Sequence, residues 1–311
     1  MKNTRYLTEG AVLLALFAVM LFVSLYIPLI GAIFSLLLAV PFLIFTARHG
    51  WKKAFLFLIG SLFLTGLFGT IMLLPITFAF GSSGIVMGQL YTQQKNRYIV
   101  LLGGTVVFSV NLVLLFVITS VFANINMLNE LQIAFEKSLK TSQEMLDSLG
   151  QSPNEQALKQ FEAALKTIPY LLPSVLAMSG FVLAFITKWI ATPILRKLGY
   201  RIEKFPPLRE FKLPKSILWY YLLVMIVSFV RMEQGSFLYI AVLNLATILQ
   251  LLIVAQGYSL VFYYFHNKSF GKWLSILVVI ITLSQPFLLQ FIRILGIIDL
   301  GFDLRNQRKS K

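Results

Sequence analysis

At 311 residues, 58% apolar and only 13% charged, the chain departs from soluble domains, in which about 25% of residues are charged. It carries a net charge of +15 and no cysteine, which excludes disulfides, thiolate metal sites and cysteine nucleophiles. The positive charge sits in short links between apolar runs, as in cytoplasmic loops of membrane proteins, and no polar domain exists to carry nucleic-acid binding.

A bilayer span takes about 20 mostly apolar residues, because the hydrocarbon core is roughly 30 Å thick. The first such run, residues 7–27, lacks a small-x-small cleavage site and leads into more apolar sequence, so it reads as a retained helix. The second, 30–47, ends at Arg48, His49, Lys52 and Lys53. Residues 54–91 hold no charge, are too long for one helix and have basic residues at both flanks. The chain is therefore expected to cross twice there and to turn near 69–75. Further runs follow at 98–123, 168–190, 216–230, 237–265 and 273–298. The reading is an all-α, polytopic integral membrane protein with about eight or nine transmembrane helices, a six-helix transporter-like core and additional C-terminal helices. With Lys2 and Arg5 inside, nine crossings put the basic tail (Arg305, Arg308, Lys309, Lys311) outside, against its preference. A break after Gln285, at Pro286, would make the last run a re-entrant pair and restore agreement; the parity stays open.

Three regions follow: a core over 1–190 with an external loop at 124–167, a basic cytoplasmic loop at 191–215, and transmembrane helices with a basic tail over 216–311. The external loop carries six acids and four bases. Leu128, Leu131, Phe135, Leu139, Leu146 and Leu149 recur at helical spacing. Gly150 stops that helix, and Ser152-Pro153-Asn154-Glu155 starts a second one with a capping box, striped by Leu158, Phe161, Leu165 and Ile168. Two amphipathic helices are expected, either as a packed cap or as a mobile substrate lid. The loop at 191–215 holds seven basic residues, including Arg196, Lys197 and Arg209, against Glu203 and Glu210, and is stiffened by Pro193, Pro206, Pro207 and Pro214. It sets topology, attracts anionic headgroups or docks a soluble partner.

Small residues form one-sided faces on several runs. Ala11, Ala15 and Ala18 share a face on the first helix, Ala32, Ser35 and Ala39 on the second, and Ser61, Thr65 and Gly69 on the third. Gly81, Gly84 and Gly88 do so on the fourth, and Ala177, Gly180, Ala184 and Thr187 on the sixth. In lipid, close backbone approach over such residues does much of the work of helix association. The last three helices show no comparable stripe, which suggests a close-packed six-helix unit followed by a looser appendage. The alanine face of the first helix either packs within the chain or is left for another membrane protein.

These features carry a resemblance. From Leu7-Thr8-Glu9 through the alanine-faced helix, Ile27-Pro28, the ending Arg48-His49-Gly50-Trp51-Lys52 and the glycine-rich third and fourth helices, residues 1–190 resemble the small-molecule-binding subunits of energy-coupling factor transporters. The resemblance implies six helices, a small-molecule substrate such as a vitamin, and a coupling protein and ATPase subunits as partners. It also implies that Ala11 and Ala15 match the face that meets the coupling subunit. In that family the loop between helices one and two gates the substrate; here it is residues 28–30, and the long external loop follows helix five instead. The whole chain resembles the YybS-like family of predicted bacterial membrane proteins, a family of unknown function. That likeness rests on residues 192–199 (TPILRKLG), the Gln256-Gly257 pair and residues 296–305 (GIIDLGFDLR).

The remaining polar groups are few. His49 and His266 sit at helix ends beside lysines, read as interfacial anchors, and neither has a second ligand at metal spacing. No H-E-x-x-H, G-x-S-x-G or G-x-x-x-x-G-K-[ST] motif occurs, so no catalytic constellation, cofactor or nucleotide site is expected. Glu9, Glu233 and Asp299 lie near run ends, which weakens a proton-coupled carrier. Arg231 and Glu233 read as surface charges of a short outer turn. Arg293 lies late in the last run and needs a partner, for which Asp299 and Asp303 are candidates. Among intramembrane amides, Asn111, Asn244 and Gln256 either hydrogen-bond between helices or line a polar pocket.

Two functional readings follow. The first is a non-enzymatic protein of the bacterial cytoplasmic membrane that binds a small molecule from outside and relies on partners for energy. The second is a membrane scaffold or regulator that recruits envelope or signalling proteins. An intramembrane enzyme ranks third.

Overall fold

A computed structural model describes residues 2–69, 71–122, 127–148, 155–200, 202, 205–268 and 270–307. Every regular element among them is helical. In hydrocarbon no water takes up backbone N–H and C=O groups, and a helix satisfies them within its own segment. The helices are α1 (Lys2–Tyr26), α2 (Pro28–Ser35), α3 (Ala39–His49), α4 (Trp51–Phe68), α5 (Leu74–Thr92), α6 (Arg97–Phe122) and α7 (Met127–Ser148). They continue with α8 (Glu155–Lys197), α9 (Ser216–Ser228), α10 (Phe237–Asn267), α11 (Lys272–Ser284), α12 (Pro286–Phe302) and α13 (Leu304–Gln307).

Among the described residues, seven stretches are long and apolar enough to cross a bilayer: Tyr6–Tyr26, Pro28–His49, Trp51–Phe68, Ile71–Thr92, Arg97–Phe122, Leu165–Lys197 and Phe237–Asn267. The sequence runs had suggested eight or nine. The seventh run becomes α9, whose 13 residues reach about 20 Å at 1.5 Å per residue. The ninth is cut at Gln285, where extended backbone (φ −126°, ψ 102°) precedes Pro286 at the start of α12. Proline lacks an N–H and pushes its predecessor out of the helical region, so local chemistry makes the break.

Residue contacts group the chain into two units, 1–167 with 175–204, and 168–174 with 205–311. In the N-terminal unit α3 is central: every residue from Ala39 to Ala47 is buried. Its Phe42 and Phe45 pack against Phe17 of α1 and Phe57 of α4, with ring centroids 4.7 to 5.2 Å apart. The Gly81/Gly84/Gly88 stripe of α5 lies against α3, as a small face should. A Cβ added at Gly84 would stand 2.4 Å from the Ala39 carbonyl oxygen, and one at Gly88 2.6 Å from that of Leu43. On α8, a Cβ at Gly180 would stand 2.8 Å from the Ser109 backbone nitrogen of α6. The turn from α4 to α5 falls where expected, through Gly69 and a 3-10 turn at Ile71–Leu73. Hydroxyls of Thr65 and Thr77, 2.8 Å apart, tie that hairpin together.

The Ala32/Ser35/Ala39 stripe does not exist as one face, because the second span is broken at residues 36–38. There Leu37, Leu38 and Val40 donate to carbonyls three residues back. The Ser35 hydroxyl also donates to the Ala32 carbonyl at 2.8 Å, a back-bond that bends helices. The external loop differs as well. Its second amphipathic segment runs without a stop into the sixth span, giving α8 43 residues, about 64 Å. That helix also takes up the first residues of the basic loop, Pro193 included. The stop at Gly150 and the cap at Ser152, Pro153 and Asn154 lie outside the described residues, as do Leu149 and the side chains of Leu128, Leu131, Leu146, Leu158 and Phe161.

In the C-terminal unit Tyr221 and Val224 of α9 pack with Leu249 and Ile253 of α10 and Leu300 of α12. Expected to be looser for want of a stripe, it instead holds the tightest glycine contacts among the described residues. A Cβ at Gly257 would stand 2.0 Å from the Ile292 carbonyl oxygen, and one at Gly296 2.1 Å from that of Ile253.

Candidate functional site

The three intramembrane amides are helix joints, each with its own partners. The Asn111 amide nitrogen on α6 donates to the Ala79 carbonyl (3.3 Å) and to the hydroxyls of Ser82 (2.9 Å) and Ser83 (3.2 Å) on α5. Asn244 bridges a gap in α8. Its Oδ1 accepts from Ser174 N–H at 2.7 Å and its Nδ2 donates to the Tyr170 carbonyl at 2.7 Å. Those two backbone groups bond to each other in a regular helix, and Pro173 lies between them. Gln256 accepts from Leu213 N–H at 2.9 Å and donates to Asp299 Oδ2 at 2.5 Å. Asn244 and Gln256 stand twelve residues apart on α10, about 18 Å, so they do not line a common pocket.

Asn111 nevertheless faces a cavity. Where α4 and α5 turn, an open cavity of about 340 Å³ is lined by Leu62, Leu74, Pro75, Phe78, Leu114, Leu115, Ile118 and Asn111. The wall is aliphatic and aromatic. Asn111, its Nδ2 held by α5, is the polar side chain among the described lining residues, and an amide oxygen accepts N–H or O–H donors.

The opposite end of the N-terminal unit is basic. Glu9 Oε1 lies 3.0 Å from the Arg48 guanidinium, and Glu9 Oε2 lies 2.8 Å from His49 Nε2. His49 is thus a hydrogen-bond partner of Glu9 as well as a helix-end residue, through a carboxylate 40 positions away that no spacing rule reveals. No third His, Asp or Glu joins them among the described residues, short of the three or four protein ligands of a zinc site. Tyr200 donates to the Ala47 carbonyl at 2.7 Å. Burial pushes its hydroxyl above the usual tyrosine value, opposed by Arg48 and aided by Glu9. Between the end of α5, the start of α6 and the turn after α8 lies a polar cleft of about 490 Å³.

In the C-terminal unit Asp299 is fully buried, and its partner is Arg305 at 2.7 Å. The left-handed Asp303 (φ 50°) turns the chain so that Arg305 reaches back. Arg305 also donates to the carbonyls of Arg209 and Phe211, and the Ser259 hydroxyl donates to those of Leu208 and Phe211. The basic segment after α8 is thereby clamped to α10 and α13. Arg293 bonds neither Asp299 nor Asp303. It donates to Gln290, its neighbour one turn back on α12, while Asp303 takes Lys212 at 2.6 Å.

The alanine face of α1 has a different fate from the α5 stripe. Ala11 and Ala15 are exposed and Ala18 is half-buried, while Phe17, Met20 and Leu21 on the other side form the core contact.

No solved structure matches the chain. It is 34% identical over 310 residues to the uncharacterized protein YybS of Bacillus subtilis (strain 168), covering 99% of this chain and all of that protein. Residues 15–300 match the family described as predicted membrane protein (DUF2232). Unbroken similarity across both units, together with an all-helical fold of seven candidate spans, makes this chain a member of the DUF2232, YybS-like family of membrane proteins.

Proposed function

We propose that the protein is a non-enzymatic, multi-pass protein of the bacterial cytoplasmic membrane whose N-terminal unit binds a small, mostly apolar molecule. The observation that carries this reading is the cavity of about 340 Å³ over Asn111. Ligand pockets are typically apolar with a few placed polar groups, and run from about 300 to 1,000 Å³. The basic end of the unit faces the cytoplasm by the positive-inside rule, which puts this cavity in the outer half of the bilayer. Entry is then from outside or from the outer leaflet. The chain holds no nucleotide motif, so uptake would draw its energy from partner subunits. The exposed Ala11/Ala15 face suits such a partner, since the chain's own helices leave it uncovered.

The same face supports a second reading, a scaffold that holds a partner without a small molecule. One experiment separates them. The protein is purified from its native membrane with mild detergent, and co-eluting small molecules and proteins are identified by mass spectrometry. The binding reading expects a small molecule that Leu114→Trp, which fills the cavity, removes while the partner remains. A partner lost on Ala11→Leu with Ala15→Leu, and no small molecule in any preparation, favours the scaffold and overturns the binding reading.

A further inference from the structure

We infer that the polar cleft at the basic end of the N-terminal unit is a binding site for a phosphate ester that carries net negative charge. Among the described residues the cleft is lined by Tyr91, Gln94, Lys95, Asn96, Arg97 and Tyr200, with Gly199 and Ile202, and none of these is a carboxylate. Its positive charge comes from three helices. Lys95 follows α5 and Arg97 opens α6. From α8, Lys188 donates to the Arg97 carbonyl while only 1% exposed, and Arg196 donates through two nitrogens to the Ile202 carbonyl. The neighbouring Arg201, Glu203 and Lys204, which lie outside the described residues, carry two bases against one acid, so the excess of positive charge does not depend on how they are placed.

The donor set fits phosphate. Asn96 Oδ1 accepts from Tyr98 N–H at 3.0 Å and caps α6, which brings the positive end of a 26-residue helix to the cleft. An ammonium, a guanidinium, side-chain amides and this helix end together serve the several oxygens of one phosphate, more than a single carboxylate can use. The volume of about 490 Å³ leaves room for the group to which the phosphate is esterified.

Two sources share this chemistry. Trp189, next to Lys188, is 67% exposed, and Trp51 and Tyr98 are exposed at the same end, an aromatic girdle that sets headgroup depth. An anionic phospholipid headgroup therefore reaches the cleft from the inner leaflet, where basic pockets between helices take such lipids. A soluble phosphate ester reaches it from the cytoplasm.

The test uses the full chain in detergent, with melting followed at constant ionic strength as either phosphatidylglycerol or glycerol 3-phosphate is titrated. Phosphatidylcholine serves as the net-neutral control. A saturable rise in melting temperature with either anion is expected, and the anion that produces it identifies the source. Lys95→Gln with Arg97→Gln should weaken the apparent affinity by roughly tenfold or more, as expected for losing charged hydrogen bonds. Lys95→Gln alone, at an exposed position, should weaken it less without disturbing the fold. Lys52→Gln with Lys53→Gln, at the same end but off the cleft, should leave it unchanged. No rise with either anion, an equal rise with phosphatidylcholine, or full affinity in both cleft variants overturns the site.

Discussion

The crossings of α5 on α3 and of α12 on α10 are both made of glycine, and only the first is visible in the sequence. On α5, Gly84 and Gly88 press on the α3 backbone and Gly81 on Phe42 of α3 and Leu58 of α4, so one helix supplies the clearance and its sequence carries a period. Between α10 and α12 each helix supplies one glycine, and Gly257 and Gly296 press on the carbonyls of the facing helix. A contact shared in this way leaves no period in either partner. The lesson is that a stripe reports which helix gives way, not how close two helices come. The α1 alanines add the converse, because Ala11 and Ala15 belong to a stripe and yet stay exposed among the described residues.

The largest effect should come from Gly257→Leu. Overpacking costs about 1–3 kcal/mol where side chains can give way. A backbone carbonyl 2.0 Å from the new Cβ cannot rotate away, so the two helices must separate and the cost should exceed that of any single lost contact. Loss of the monodisperse peak in detergent gel filtration is expected. Gly60→Leu, which faces only Leu14 methyl groups at 3.7 Å, should elute normally. If both variants behave alike, closeness of approach does not govern stability in this protein.

Next in size is Asp299→Ala. Removing one partner of a buried ion pair costs roughly 3–5 kcal/mol, because the other charge is left uncompensated. Pairing the change with Arg305→Met should restore part of the lost melting temperature. A double variant no better than the single one would show that Arg305 acts through the Arg209 and Phe211 carbonyls instead.

Tyr200→Phe should cost about 0.5–1.5 kcal/mol by removing the bond to Ala47. Folding favours the protonated phenol, whose folded value is raised chiefly by burial. Its contribution is therefore complete below the ordinary tyrosine value of about 10 and is lost as pH rises through the higher folded value. Melting curves of wild type and variant should converge above that point; a gap that persists there would assign the effect to packing.

The smallest effect is expected from Ala11→Leu with Ala15→Leu. Both positions are exposed, so the melting temperature of the isolated protein should not change. A marked drop would place a helix of this chain on that face.

Much of the fold was legible because it follows from local rules. Apolar runs of bilayer length, the charge-free stretch flanked by lysines, and the glycine and proline around residues 69–75 each carry their physics in adjacent residues. What escaped depends on partners distant in sequence or on geometry between neighbours. The Glu9–His49 contact spans 40 positions. Asp299 was paired with the wrong arginine because Arg293 shares its apolar run, whereas the left-handed turn at Asp303 delivers Arg305. Of the site, the amides were recognisable as residues that need partners, and the sequence held no sign that each had a different one. The cavity over Asn111 was not legible at all, since its walls are ordinary span residues.

The bridge made by Asn244 has a consequence for how the protein is made. The residue that completes the α8 ladder lies 70 positions after the N–H it receives. At about 5–20 residues per second, that is an interval of roughly 4–14 s during synthesis. Until α10 emerges, the stretch around Pro173 enters the membrane without that partner, and an unsatisfied backbone group in hydrocarbon costs several kcal/mol. α8 is thus a span that matures late, by completion from downstream. A chain ending between α9 and α10 should be cleared by membrane proteases faster than one that includes Asn244, and Asn244→Leu in the full chain should share that fate.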